Sequence, residues 1–316
     1  MKIIVTGGAG FIGSHLCENL LNDNYEVICI DNLISGSKDN ISHLIDSKNF
    51  TFIEHDVIKP LSSDLTANAV FHLASPASPN HHSSISYHSL PVETMLVNTQ
   101  GTFELLKFCE INKAKFLFTS TSEVYGDPKE HPQKETYNGN VSTTGPRSVY
   151  DEAKRFGETI TAHYFRNNLV DARIARIFNT YGPRMLKEDM RMLVSFIIQA
   201  LKGEPITIFG DGKQTRSLCF VDDTVDGLLK LMFKENTNGT IINIGSSEEH
   251  TVLEYAQIVK RLTKSTSRIV FNEELPKDDP QRRKPDTTLA KQLLDWEPKV
   301  TLEEGINRMI NYLRDI

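Results

Sequence analysis

The stretch that decides the fold is KIIVTGGAGFIG, residues 2–13. A short apolar run with β-branched residues leads into Gly7, Gly10 and Gly13, and a helical pattern follows over residues 14–22. Glycines at this spacing allow a tight turn, a close approach of the backbone to a pyrophosphate, and close packing of helix on strand. The N-terminus of the following helix then faces the phosphates with its positive dipole end. The order strand, glycines, helix therefore predicts a dinucleotide-binding βα unit.

A second strand-like run, residues 26–30, ends in Asp31. A carboxylate at this place accepts hydrogen bonds from an adenosine ribose and repels a 2′-phosphate, which favours NAD over NADP. The alternative is a turn residue before Asn32. Because the glycine-rich unit precedes it, we predict that Asp31 binds ribose and that NAD is the cofactor.

Strand-like and helical runs continue to alternate after this unit. Further strands are predicted at residues 50–54, 69–74, 115–119 and 171–176, with helices at 91–109 and 150–167. Repeated βα units predict an α/β fold with a doubly wound parallel (Rossmann) sheet and ligands at the carboxyl ends of its strands. We predict an NAD-binding domain over residues 1–178, with a later return of the chain at about 207–236. A smaller C-terminal α/β substrate-binding domain is predicted over residues 179–206 and 237–316.

A tyrosine and a lysine four residues apart, Tyr150 and Lys154, share one face of a predicted helix. A free phenol has a pKa near ~10, and a neighbouring ammonium stabilises the phenolate and lowers that pKa. The pair can therefore take a proton from an alcohol while a bound cofactor takes the hydride. The alternative is a surface helix with an ordinary tyrosine and lysine. The glycine-rich unit and Asp31 favour the catalytic interpretation.

The fifth strand ends in hydroxyl and carboxyl side chains at Thr121, Ser122 and Glu123. Chemistry in this architecture takes place at the carboxyl ends of the central strands. Serine and threonine at this place also fit a helix N-cap or a turn, which is the alternative. With Tyr150 and Lys154 downstream, we favour catalysis.

The composition is that of an ordinary globular protein, with 39% hydrophobic and 24% charged residues among 316. The net charge of −6 argues against a general binder of nucleic-acid backbones. No apolar run approaches the roughly 18 residues of a membrane helix, and the strand-like start predicts no signal peptide. The four scattered cysteines predict reduced thiols in a cytoplasmic protein.

The polar loop of residues 75–90 holds three histidines without an acidic partner, so we predict a lid and no metal site.

Together these motifs resemble the extended short-chain dehydrogenase/reductase superfamily over the whole chain. A narrower similarity, to the UDP-glucuronate decarboxylases (UDP-xylose synthases), rests on residues 73–79, 121–128, 131–133, 145–147, 150–155 and 279–286. Epimerases of the superfamily usually lack a glutamate beside the catalytic hydroxyl, and 4,6-dehydratases usually have Asp-Glu where this chain has Ser122-Glu123. The segment between Pro79 and Pro91 is several residues longer than that pattern.

The resemblance implies a redox-neutral reaction on UDP-glucuronate. Tyr150, held as phenolate by Lys154 and the nicotinamide charge, would take the C4 hydroxyl proton while NAD accepts hydride. The 4-keto acid would then lose CO2 and be reduced to UDP-xylose, with Thr121 or Ser122 hydrogen-bonded to the C4 oxygen. Glu123 and Arg283 lie near the reacting carboxylate in the family. Arg283 would hold the carboxylate, or Glu123 would displace it from water or position a proton donor, and the order of these roles stays open.

The resemblance also implies the binding residues. The positions expected to bind the cofactor are Gly7, Gly10, Phe11, Ile12, Gly13, Asp31, Asn32, Asp56, Val57, Leu73, Ala74, Tyr150 and Lys154. The UDP-sugar is expected at Asn179, Arg191, Gln214, Arg216 and Arg283, although Arg191 also fits a solvated helix charge. The helices around residues 92–109 and 150–167 match those of a four-helix homodimer interface, and their apolar content also fits intrachain core.

Rival functions fit the same motifs. Within the superfamily they are a UDP-glucuronate 4-epimerase, a UDP-apiose synthase and a 4,6-dehydratase. A rival of another class is a non-catalytic NAD-sensing protein, against which the intact Tyr150 and Lys154 pair argues. Glu123 and the segment around Arg283 favour decarboxylation.

Overall fold

The computed structural model describes residues 1–273 and 280–314, so Asp279 of the family motif lies outside the described residues. The strands are β1 (Lys2–Thr6), β2 (Glu26–Asp31), β3 (Phe50–Glu54), β4 (Ala69–His72), β5 (Lys115–Thr121), β6 (Ala172–Ile177), β7 (Thr180–Tyr181), β8 (Ile206–Phe209), β9 (Thr215–Ser217), β10 (Cys219–Phe220), β11 (Ile241–Ile244), β12 (Glu249–Thr251), β13 (Ile269–Glu273) and β14 (Arg282–Arg283). The helices are α1 (Phe11–Asn22), α2 (Pro91–Leu96), α3 (Thr102–Asn112), α4 (Ser148–Arg166), α5 (Met192–Lys202), α6 (Val221–Phe233), α7 (Val252–Thr263), α8 (Thr288–Leu294) and α9 (Leu302–Arg314).

A seven-stranded parallel sheet in the order β11-β6-β5-β4-β1-β2-β3 forms the centre of the fold. Strand β1 pairs with β2 on one side and with β4 on the other, so the winding direction reverses there. Ligands in such sheets bind at this switch point, outside the carboxyl ends of the strands. The predicted doubly wound α/β fold is confirmed.

Both faces of this sheet are covered, which explains why its strands are nearly continuous apolar runs. Side chains alternate between faces along a strand, so Ile3 and Val5 join one core cluster and Ile4 joins the other. Helices α1 and α6 pack on the first face, and α3 and α4 pack on the second. Helix α4 therefore lies directly against β5, which brings Tyr150 and Lys154 to the end of that strand.

The smaller lobe is built around two short sheets. Strand β8 pairs with β13, and β9 lies between β12 and β14. Helices α5, α7 and α9 pack together beside β8. The predicted return at 207–236 includes α6, which packs on the main sheet, but β8 pairs with β13 in the smaller lobe and β11 is the strand that joins the main sheet. The partner of β8 comes much later in the chain, so local sequence does not reveal this pairing.

The helix predicted at residues 91–109 is interrupted by a π-helical turn at Val97–Gly101. The buried ring of His72 contacts the Val97 carbonyl at this turn, with 3.3 Å between Nε2 and O. On its other side, Nδ1 of His72 lies 2.8 Å from the Thr6 hydroxyl. Such π turns are often found near functional sites. Among the described residues no helix is long and apolar enough to cross a membrane.

Candidate active site

A cavity of about 740 Å³ lies along the carboxyl ends of the main-sheet strands and reaches into the smaller lobe. Pockets for small ligands typically have volumes of roughly 300–1,000 Å³. Apart from Arg283, every residue predicted above for cofactor binding, substrate binding or catalysis lines this cavity. The fold thus gathers residues from Gly7 to Arg216 around one space, although their individual roles remain predictions.

The glycine-rich turn opens the cofactor end of the cavity. The Gly7 amide donates to the Ile30 carbonyl at 2.8 Å, and Gly7 has a φ of +72°. A Cβ atom on Gly7 would lie 2.6 Å from the Ala74 amide nitrogen, and one on Gly13 would lie 2.1 Å from the Gly7 carbonyl oxygen. The chain is therefore too tightly packed here for side chains. Backbone amides at the start of α1 are left to face a ligand phosphate, which fits NAD.

Asp31 is held in place by the backbone around it. Its two carboxylate oxygens accept hydrogen bonds from the amides of Ala9 at 3.0 Å and Leu33 at 2.8 Å. Burial raises the pKa of this carboxyl, and the two amide hydrogen bonds act in the opposite direction. The bond to Leu33 is the turn contact of the alternative interpretation, and it leaves lone pairs on both oxygens for ribose hydroxyls. Orienting a turn and binding a ribose are thus compatible here.

Tyr150 and Lys154 lie on the buried face of α4. The Lys154 ammonium donates to the Thr119 carbonyl at 2.8 Å and lies 5.8 Å from the centre of the Tyr150 ring. Burial lowers the pKa of Lys154 to about 7. Burial also raises the pKa of Tyr150, while a hydrogen bond with the Thr121 side chain opposes that rise.

Burial is the largest influence on the pKa of Tyr150 and outweighs the neighbouring groups that favour the phenolate. The same loss of water that disfavours the phenolate also disfavours the ammonium. The positive nicotinamide ring of a bound NAD would add its charge in this desolvated space. The lowered pKa implied by the resemblance would then depend on the cofactor.

Thr121 both caps a turn and contacts Tyr150, so the capping and the catalytic interpretation of this hydroxyl are compatible. Its Oγ1 accepts a hydrogen bond from the Glu123 amide at 3.2 Å and so caps the short 3-10 turn Ser122–Tyr125. The same side chain hydrogen-bonds the phenol of Tyr150. Capping therefore fixes the hydroxyl beside the phenol.

Glu123 lies between two guanidinium groups. Arg147 donates to its Oε2 at 2.6 Å, and Arg283 donates to the same oxygen at 3.0 Å. Arg283 also donates to the Ser122 carbonyl at 2.5 Å. The two arginines hold the pKa of Glu123 well below its usual range against the opposing effect of burial. The carboxylate is therefore ionised at neutral pH.

Arg283 and Arg147 differ in their access to the cavity. Strand β14 holds Arg283 behind Glu123, where its side chain is 2% exposed, and Arg283 does not line the cavity. Arg147 and Glu123 both line it, with side chains 12% and 15% exposed. Of the two arginines that donate to Glu123, Arg147 is therefore the one that reaches the cavity.

Sequence reasoning missed the roles of three residues in this region: Tyr87, Arg147 and Asp151. Arg147 ends the triplet Gly145-Pro146-Arg147, and its place one turn before Tyr150 was the available signal. Asp151 is buried, and its pKa is raised by burial and by the charge of Glu123. The Tyr87 ring stacks on that of Tyr150, with centroids 4.9 Å apart and planes inclined by 8°. No local pattern marks Tyr87, because its loop has no regular structure.

The loop of residues 75–90 crosses towards the smaller lobe. Asn80 donates to the Met190 carbonyl at 3.1 Å, and Arg191 donates to the Ala77 carbonyl at 3.2 Å. His81 and His88 stack at 3.6 Å between ring centroids. Among the described residues no group of three or more His, Cys, Asp or Glu could hold a metal ion.

The residues predicted to bind UDP line the end of the cavity nearest the smaller lobe. Arg191 lies at the N-terminus of α5, where its Nε is 2.7 Å from an oxygen of Asp189. Gln214 is buried and donates to the Phe209 carbonyl at 2.9 Å. Its amide oxygen meets no donor among the described residues, so a ligand donor would satisfy it.

Known proteins of similar sequence share this architecture. Residues 3–245 match the model of the NAD dependent epimerase/dehydratase family. UDP-glucuronic acid decarboxylase 6 of Arabidopsis thaliana is 49% identical over 98% of this chain and 88% of its own length. UDP-glucuronic acid decarboxylase 1 of Danio rerio is 48% identical over 98% of this chain and 72% of its own length.

Solved structures agree in fold over the full chain. UDP-glucose 4-epimerase of Thermotoga maritima, solved with UDP-glucose, superposes with a TM-score of 0.89 at 32% identity, covering 100% of this chain and 99% of its own. UDP-glucuronic acid 4-epimerase of Bacillus cereus, in complex with UDP-glucuronic acid and NAD, gives a TM-score of 0.85 at 32% identity with the same coverage. This chain is similar to UDP-glucuronic acid decarboxylases over nearly its whole length, and it belongs to the NAD dependent epimerase/dehydratase family.

Proposed function

We propose that this protein is an NAD-dependent UDP-glucuronate decarboxylase, which converts UDP-glucuronate to UDP-xylose and CO2. The observation that carries the proposal is a buried cluster of Glu123, Arg147 and Arg283 beside the Tyr150 and Lys154 pair. An enzyme that only oxidises and reduces C4 needs the tyrosine and the lysine but does not need this charged cluster. Charged groups at the neighbouring position suit a substrate that carries a carboxylate there.

The residues divide the reaction between them. Tyr150 accepts the proton of the C4 hydroxyl, and Thr121, bonded to the same phenol, stabilises the charge that develops on the C4 oxygen. Lys154 is fixed by the Thr119 carbonyl beneath the phenol. NAD, when bound, would supply reversible hydride transfer at C4.

Decarboxylation follows from the 4-keto group. The electrons of the C5–C6 bond flow into the ketone as an enolate while CO2 leaves. A proton then adds at C5, so each turnover consumes one proton. Tyr150 finally returns its proton to the C4 oxygen, and it thus acts first as base and then as acid. Glu123, ionised and clamped by two arginines, keeps this end of the cavity polar and ordered.

The product of turnover tests the proposal directly. The purified protein is incubated with NAD and UDP-glucuronate, and the product is identified by NMR. UDP-xylose with release of CO2 is the expected result. UDP-galacturonate would instead identify a 4-epimerase, the activity named for the similar Bacillus cereus structure. Absence of turnover with any UDP-sugar would contradict an enzymatic role.

We also propose a homodimer through helices α2 to α4. Large apolar side chains stay exposed on this surface, among them Met95 at 39%, Phe103 at 36% and Phe156 at 48%. A second copy would cover them in a four-helix bundle. Sedimentation should show a dimer for the wild type and a monomer for Phe156→Glu, and a monomeric wild type would rule the interface out.

The four cysteines are buried and unpaired, which supports a cytoplasmic location.

A further inference from the structure

Tyr87 offers a polar group that the protein itself leaves unsatisfied. Its side chain lines the cavity and is 1% exposed. The hydroxyl is buried and has no hydrogen-bond partner in the part of the chain that the structure describes. Burial raises the pKa of this phenol, so the hydroxyl keeps its proton and is a donor. A buried donor without a partner is costly, and a bound ligand or water is expected to satisfy it.

The position of Tyr87 limits which ligand group this is. Its ring lies 4.9 Å from that of Tyr150 and nearly parallel to it. Tyr150 is the group that meets the C4 oxygen in the proposed reaction. The neighbouring ring carbons are C3, which carries a hydroxyl, and C5, which carries the carboxylate. A donor beside Tyr150 is therefore close enough to meet one of these two groups, and a charged partner nearby favours the carboxylate.

Arg147 approaches the same place from another element. It lies one turn before Tyr150, whose amide donates to the Arg147 carbonyl at 3.0 Å. Its guanidinium lines the cavity and donates to Glu123 at 2.6 Å. A guanidinium has five donors, so one that lines a cavity can meet a ligand carboxylate as well as its protein partners.

We propose that Arg147 and Tyr87 form the subsite that binds the C6 carboxylate of the UDP-sugar. Arg283 lies outside this subsite, because it does not line the cavity and its two Nη groups donate to Glu123 and the Ser122 carbonyl. The inference rests on the proposed function for the identity of the sugar. It departs from the expectation that Arg283 itself holds the carboxylate. It also gives the long loop between Pro79 and Pro91 a part in selecting an acidic sugar.

Binding of two ligands that differ only in the carboxylate tests this subsite. Titration calorimetry is done on the NAD-loaded Tyr150→Phe protein, which keeps the ring stack and does not turn over. UDP-glucuronate and UDP-xylose are titrated into this background and into the same background with a second substitution. Tyr87→Phe should weaken UDP-glucuronate about 5- to 10-fold, since one hydrogen bond to a charged group is lost. Arg147→Gln should weaken it about 100-fold, since a charged partner is lost. UDP-xylose should change less than about twofold in both cases, because it lacks the carboxylate.

Further variants keep the test decisive. Arg261→Gln removes the same charge from an exposed pair and should leave both affinities unchanged. If Arg147→Gln does not fold, Arg147→Lys takes its place, and loss of the bidentate fork should weaken UDP-glucuronate alone about 10-fold. Equal losses for both ligands, or no loss for UDP-glucuronate, would overturn the proposal.

The subsite and the reaction are tested separately. A wild type that makes UDP-xylose, with subsite variants that do not distinguish the two ligands, would refute the subsite alone. A wild type that does not decarboxylate UDP-glucuronate but binds it through Arg147 and Tyr87 would refute the reaction alone.

Discussion

Replacing Glu123 with glutamine removes a negative charge from between two buried guanidinium groups. The side chains of Glu123, Arg147 and Arg283 are 15%, 12% and 2% exposed. Removing one partner of a buried ion pair costs about 3–5 kcal/mol, because the remaining charge is left uncompensated. Glutamine keeps one acceptor oxygen and Glu123 is partly exposed, so we expect the lower end, about 3 kcal/mol. In a chain of this size that corresponds to a fall in Tm of roughly 5 °C.

The chain contains a matched control for this substitution. Glu303 pairs with Arg261 at 2.6 Å, the same distance as Glu123 and Arg147, but both side chains are more than half exposed. Exposed ion pairs contribute about 0–1 kcal/mol. Glu303→Gln should therefore lower the Tm by less than roughly 2 °C. Both variants are measured by scanning calorimetry with NAD bound.

Equal shifts in the two variants would refute the argument that burial makes the Glu123 cluster special. The same Glu123→Gln protein also tests the mechanism. With UDP-glucuronate it should form NADH, seen by absorbance, while releasing little CO2, and Arg283→Ala should behave alike. Release of CO2 at the wild-type rate by either variant would exclude that residue from the decarboxylation step.

The remaining predictions concern the cofactor end of the cavity and the core beneath it. Gly13→Ala should retain less than about a tenth of the bound NAD, measured by release and chromatography, because its Cβ would lie 2.1 Å from the Gly7 carbonyl oxygen. Gly101→Ala, whose Cβ would meet its nearest atom at 3.4 Å, is the control and should keep its NAD. Asp31→Ala should weaken NAD about 10-fold and reduce the preference for NAD over NADP in binding titrations, and an unchanged ratio would exclude Asp31 from ribose selection. Burial lowers the pKa of His72 to about 3 from 6.5, so between these values the unfolded chain binds the extra proton and stability falls as pH falls. The slope is about 1.4 kcal/mol per pH unit, and His72→Gln should show a shallower fall of Tm between pH 6.5 and pH 4 in scanning calorimetry; an equally steep fall would exclude His72 as a source of the pH dependence.

Much of the fold was predictable because its signals are local. The glycines at 7, 10 and 13, the apolar strands and the helical periods lie within short stretches, and their order implies a doubly wound sheet. The pairing of Tyr150 with Lys154 likewise follows from helical spacing. The parallel strand order then placed the predicted cofactor residues at one edge, since the carboxyl ends of parallel strands meet there.

Where local signals end, prediction from sequence was less complete. The π turn at Val97–Gly101 contacts the buried ring of His72, which lies far away in sequence, and β8 pairs with a strand some sixty residues later. Because β8 pairs with β13, residues 206–209 lie in the smaller lobe and not in the predicted return to the main sheet. The three histidines of the long loop attracted attention in the sequence, whereas the buried aromatic residue of that loop is Tyr87.

The sequence by itself determined which chemical groups are present and which of them share a helix or a strand end. Only the tertiary structure decided that Arg283, 160 residues away along the chain, lies behind Glu123 while Arg147 lies beside the cavity. It also decided that burial raises the pKa of Tyr150 and lowers that of Lys154. Desolvation depends on everything packed around a group, and that packing comes from distant parts of the chain.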